Sequence, residues 1–180
     1  MINFGIIGQL KNISQNIVYV QFQETMICIN RQFLGNSILD GGIGIIGCNN
    51  GLNIKMKHTI LNQSNIQCYQ YSGGLIGLTQ LSSIINLENI EVQNSNISSS
   101  TRAAGFVAYS KNTNYVIQNS KIVSINIKSS AAFGIAFGYN AGGNVLNINN
   151  SQSQGDNYIN DVLRQNCQNF SNIWSVLQCN

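Results

Sequence analysis

Six carboxylates, one imidazole and five thiols are the reactive groups that this 180-residue chain offers. Cleavage of a sugar polymer needs paired carboxylates, or acids that hold Ca²⁺ beside a basic proton abstractor. Glu88 and Glu91 are three residues apart, so along a strand they are expected on opposite faces. Asp40 stands alone, and Asp156 and Asp161 fall near the C-terminus. His58 precedes Glu88 by thirty residues, close to Lys55 and Lys57, which allows either a stacked pair or a solvated polar patch. A single histidine supplies no Ser/His/Asp or Cys/His constellation. No glycine motif carries the Lys-Ser/Thr of a phosphate loop. No catalytic residue, cofactor or metal site is therefore expected.

The thiols are Cys28, Cys48, Cys68, Cys167 and Cys179. None forms a CxxC pair, which argues against structural zinc. Cys167 and Cys179 flank a short segment and either bridge or remain buried thiols. Cys28 and Cys68 are expected in equivalent strands as stacked core thiols, with a bridge between them as the alternative. Four tyrosines, Tyr69, Tyr71, Tyr109 and Tyr139, are the candidate ligand contacts; the alternative is that they only cover corners. The Asn-x-Ser sequons at Asn12, Asn62, Asn96, Asn149 and Asn169 matter only in an exported protein.

These residues must be positioned by a repeat. Gly5-Ile6-Ile7-Gly8 recurs as Gly44-Ile45-Ile46-Gly47 and Gly74-Leu75-Ile76-Gly77. Looser copies are Gly105-Phe106-Val107-Ala108 and Ile135-Ala136-Phe137-Gly138. The steps are 39, 30, 31 and 30 residues. An insertion within 30–40 accounts for the first. Apolar clusters follow each motif, as in Ile84-Ile85 and Ile90 with Val92, separated by Asn-, Ser- and Gly-rich turns such as Asn94-Ser95-Asn96 and Asn119-Ser120. Asn and Gly tolerate the left-handed backbone that tight corners require. Each unit reads as three short strands that cannot bury their apolar side alone. Stacking buries it, and an all-β, parallel β-helix (solenoid) of about five coils over 1–155 is expected.

Composition agrees. Proline is absent, only 8% of residues are charged, and 29 Asn with 27 Ile make up nearly a third of the chain. Stacked strands need every N–H, which proline lacks. Stacked like charges repel, whereas stacked Asn amides bond one another. AT-rich codon drift would also raise Asn and Ile, but it would raise Lys too, and Lys occurs six times. A net charge of +3 on scattered groups gives no footprint for nucleic acid. No apolar run reaches the roughly 20 residues of a membrane span, and no signal peptide is visible.

The character changes near Gln154. Tyr158-Ile159 and Val162-Leu163 have helical spacing, so 156–180 is expected as a cap with a short helix and an extended piece. Met1 lies four residues before a motif, which suggests a solenoid truncated at its N-terminus, with end-to-end contact to further coils there; coverage by the insertion is the alternative.

Gly74-Leu75-Ile76-Gly77 resembles the GLUG repeat, and Gly138-Tyr139-Asn140-Ala141-Gly142-Gly143-Asn144-Val145 resembles its continuation into the next strand. The resemblance covers 1 to about 152 and is similar to Asn-rich surface proteins of bacterial adhesin-like and diplomonad-protist type. It implies a right-handed β-helix, an extracellular or cell-surface setting, and glycans or host or neighbouring-cell surface proteins as partners. It transfers no catalytic residues. Ala108 and Ile135 depart from the motif's glycines, which suggests looser corners there. The function expected is non-catalytic adhesion, interaction or spacing; the alternative is a carbohydrate-active β-helix, lyase- or hydrolase-like, or a degenerate relative.

Overall fold

The computed structural model describes residues 20–22, 26–29, 32–35, 42–164 and 170–172. They form a parallel β-solenoid of about four turns, with no helix among the described residues. One complete turn runs Ile76–Gln80, Ser83–Gln93, Asn96–Ser99 and Arg102–Ala104. Each strand pairs in parallel with its equivalent in the turns before and after. The register fixes the repeat: Ile46 opposes Ile76, Ile76 opposes Val107, and Val107 opposes Phe137.

The turn holds four strands rather than the expected three. Asn96–Ser99 buries only Ile97 fully, and Arg102–Ala104 only two alanines. Neither makes an apolar cluster that sequence could show. The repeat motif is also split. Gly74 and Leu75 form the bend between Tyr71–Gly73 and Ile76–Gln80.

Aliphatic columns run through the interior. Met56, Leu87, Ile117 and Ile148 lie in register on successive turns, as do Ile66, Ile97, Ile127 and Ile159. Parallel neighbours sit ~4.8 Å apart, so each residue packs on its counterpart above and below.

Corners explain the asparagines. His58, Asn89, Asn119 and Asn150 hold one corner with φ of 50°, 55°, 50° and 49°. Gln63, Asn94, Ser124 and Gly155 hold the next, at 50°, 49°, 51° and 68°. Left-handed backbone costs most residues about 1–2 kcal/mol, and Asn bears it best after Gly. The following residue often completes the corner. Ser95 Oγ donates to Gln93 O at 2.7 Å and accepts the Ser64 N–H of the preceding turn at 3.1 Å. Ser120 Oγ likewise donates to Gln118 O and accepts from Ile90 N–H, and Ser120 N–H donates in turn to Ser151 Oγ. The serines thus replace the ladder bond that the bend interrupts.

The first described turn differs from expectation. Cys28 opposes Leu61, while Gly35 opposes Cys68, so Cys28 and Cys68 occupy different sheets. Gly35 and Gly42 are seven positions apart where their partners Cys68 and Tyr71 are three apart. The chain between these two strands is therefore four residues longer than in the next turn. The motif at 5–8 lies outside the described residues.

The expected C-terminal helix is replaced, over its described part, by a hairpin of Tyr158–Ile159 against Val162–Leu163. Asn160 and Asp161 both have positive φ, at 49° and 64°. That is the backbone of a two-residue hairpin turn, which Asn and Asp favour. A spacing of four between apolar pairs suits such a hairpin as well as a helix. Beyond it, Phe170 is buried and meets Phe106 edge-on at 6.1 Å. Its N–H donates to Ser151 O, and Asn172 Oδ1 accepts the Ile148 N–H of the edge strand Val145–Asn149. The extended piece expected at the C-terminus lies beyond the described residues from 173 onward, and Cys167 and Cys179 are both outside them.

Candidate functional site

Glycine creates the site. A Cβ on Gly77 would run into the backbone of Gly42 and Ile43, and one on Gly42 into that of Gly47 and Gly77. The outward sides of the Tyr71 and Leu78 sheets can therefore close on each other. A second, small apolar cluster fills the space between them, separate from the axial core: Cys48, Tyr71, Leu78 and Ala108, with Tyr109 packed against it. Ala108 is fully buried there and its carbonyl abuts Gly138, so this corner is closed rather than loosened. Ile135 points into the axial core.

Three of the four candidate tyrosines meet at the mouth of this cleft. Tyr71 and Tyr109 have ring centroids 5.1 Å apart at 46°, and Tyr109 stacks on Tyr139 at 5.6 Å and 30°. Register places Tyr109 opposite Tyr139 and Tyr71 opposite Arg102. The Arg102 guanidinium lies 5.2 Å from the Tyr71 ring, 5.1 Å from Tyr109 and 4.3 Å from Tyr139. Its Nη1 donates to Tyr71 Oη at 3.1 Å. Exposure rises from 8% at Tyr71 to 38% at Tyr139, so the stack opens to solvent at one end. Tyr69 is 53% exposed, two residues before the stack, and makes no ring contact among the described residues. Arg102 escaped the sequence reading. Its signal was there: a cation thirty-one residues after Tyr71, one turn on.

Six charged side chains lie elsewhere and pair between adjacent turns. Lys57 bonds Glu88, Lys121 bonds Glu91 at 3.0 Å, and Lys128 bonds Asp161 at 2.8 Å. Glu88 and Glu91 do not face opposite ways. The left-handed Asn89 between them shifts the alternation, and both project outward while Leu87, Ile90 and Val92 project inward. His58 aligns with Asn89, 3.4 Å away, and Glu88 with Lys57. The hydrogen bond from Lys57, aided by the charges of Lys57, His58 and Lys55 against some desolvation, holds the Glu88 carboxyl below its ordinary value. A shallow depression of about 310 Å³ runs between His58, Asn89 and Asn119 on one side and Ile60, Glu91 and Lys121 on the other.

A buried hydroxyl column runs inside the solenoid. Thr79 Oγ1 bonds Asn49 Nδ2, Ser83 Oγ and Thr113 Oγ1. Ser110 Oγ lies 2.6 Å from Tyr115 Oη and 2.8 Å from Asn144 Oδ1. Burial pushes the Tyr115 phenol far above its ordinary value, so it stays neutral. Among the described residues, no three His, Cys, Asp or Glu side chains gather to hold a metal ion, and no helix is long and apolar enough to cross a membrane.

No family model, no curated protein and no solved structure matches this chain.

Proposed function

We propose that the chain is a non-catalytic, GLUG-type repeat solenoid of an extracellular or cell-surface protein, and that it binds through the Tyr71–Tyr109–Tyr139–Arg102 stack. The stack is the observation that carries this reading. An aromatic stack whose outermost ring, Tyr139, is 38% exposed is suited to the apolar side of a sugar or to a protein side chain, at little cost in conformational entropy. The neutral Asn, Gln and Ser of the outer faces add hydrogen-bonding groups. The partners proposed are glycans or proteins of a neighbouring cell surface. The finer architecture proposed is a right-handed helix of about five coils, since parallel crossovers are right-handed in nearly every known case.

The carbohydrate-cleaving alternative has less support. Glu88 and Glu91 share the outer face, but each is tied to a lysine. A general acid needs a raised carboxyl, and that of Glu88 is lowered. The test is a glycan and cell-binding panel with correctly folded protein. Binding that disappears in Tyr139→Ser supports the reading. No binding by folded wild type favours a structural spacer, and release of reducing ends from any panel member favours the enzyme.

A further inference from the structure

We propose that the stack selects acidic saccharides, with a sugar ring on Tyr139 and its carboxylate or sulfate on Arg102. This rests on the binding role proposed above and narrows its ligand class. Three observations point to an anion. Arg102 forms none of the three ion pairs among the described residues, so its charge is balanced only by ring faces and one phenol. Its Nε has no hydrogen-bond partner although it is shielded from solvent. The guanidinium lies nearest the most exposed ring, 4.3 Å from Tyr139 against 5.1 and 5.2 Å for the others.

The chemistry fits this placement. Ring faces carry negative potential and attract the guanidinium, but they do not neutralise it as a carboxylate does. The planar fork of Arg suits carboxylate and sulfate oxygens, which accept two parallel N–H bonds. The C–H face of a pyranose covers an exposed tyrosine ring. A partly exposed ring with a guanidinium over it thus recognises a ring bearing a negative substituent. A neutral saccharide could use only the ring.

The experiment measures affinity for an oligouronate, a sulfated oligosaccharide of equal length and their neutral parent. Calorimetry is run at low and high salt with wild type, Tyr139→Ser, Arg102→Lys and Arg102→Gln. Expected is at least tenfold tighter binding of one or both acidic ligands than of the parent, weakened by salt. Arg102→Gln should abolish that preference and Tyr139→Ser should weaken all binding. Arg102→Lys, which keeps the charge but not the fork, should fall between. The uronate and sulfate arms tell which acid is preferred. Equal affinity for acidic and neutral ligands overturns this inference while leaving the glycan-binding role intact. Acidic binding unchanged in Tyr139→Ser and Arg102→Gln, with all variants folded by circular dichroism, overturns the location. No binding of any saccharide overturns this inference together with the glycan-binding role, and leaves a protein as the partner of the stack.

Discussion

The molecule has two apolar clusters, and they are built on different rules. The axial core stacks apolar side chains in columns, and a column admits several residue types, as Met56, Leu87, Ile117 and Ile148 or Ile46, Ile76, Val107 and Phe137 do. The outer cluster is small and heterogeneous: a thiol, a leucine, an alanine and two tyrosines, closed by an arginine. The core needs only the right size and the right period. The outer cleft needs glycine backbones that touch, then particular side chains at its mouth. Generic packing therefore makes the fold, and individual residues distinguish the site.

The sharpest way to test this contrast is to damage each cluster. Leu87→Ala, in the axial core, should cost about 3–4 kcal/mol, as large-to-small substitutions at fully buried sites do, read by denaturant unfolding. Gly77→Ala should cost about 2–3 kcal/mol, because the Cβ meets backbone that cannot rotate away. It should also raise the exposure of Tyr71 and Tyr109 to quenchers of tyrosine fluorescence. If Gly77→Ala were neutral, the touching backbones would not hold the cleft. Tyr115→Phe removes a buried hydroxyl bonded to Ser110 and should cost about 1 kcal/mol. Tyr139→Ser should change stability by less than about 1 kcal/mol, as expected for a partly exposed ring, and a larger loss would make the stack part of the fold.

The smallest effect concerns pH. The folded carboxyl of Glu88 titrates below the ordinary 4.5, so the contribution of its pairing is present above that value and lost as pH falls through the lowered midpoint. A side-chain NMR titration should show this, and Lys57→Met should return the midpoint toward 4.5. An unmoved midpoint in that variant would place the cause elsewhere.

Much of the solenoid was legible because the corners announce themselves. Asn94-Ser95 and Asn119-Ser120 carry both the left-handed residue and the hydroxyl that mends the ladder, and the isoleucines keep step between them. Where reading by alternation failed, a left-handed residue was again the cause. Asn89 turned Glu91 to the same side as Glu88, and Asn160 with Asp161 made a hairpin from spacing that suits a helix. Half of the site was visible as tyrosines at matched offsets. Arg102 was not, because a cation among aromatics looks like surface charge until register brings Tyr71 beside it.

The buried hydroxyl column has a further consequence. Coils this alike could pair with the wrong neighbour, since an aliphatic column fits itself after a slip of a whole turn. The polar column does not. Asn49, Thr79 and Ser110 stand at successive levels, Tyr115 Oη meets Ser110 Oγ, and Asn144 bonds Ser110 Oγ, Ser110 O and the Thr113 N–H. A slipped coil would leave some of these groups unanswered in a dry interior, at the cost of a desolvated polar atom. The column gives each coil an address, so the chain can count its own turns as it winds.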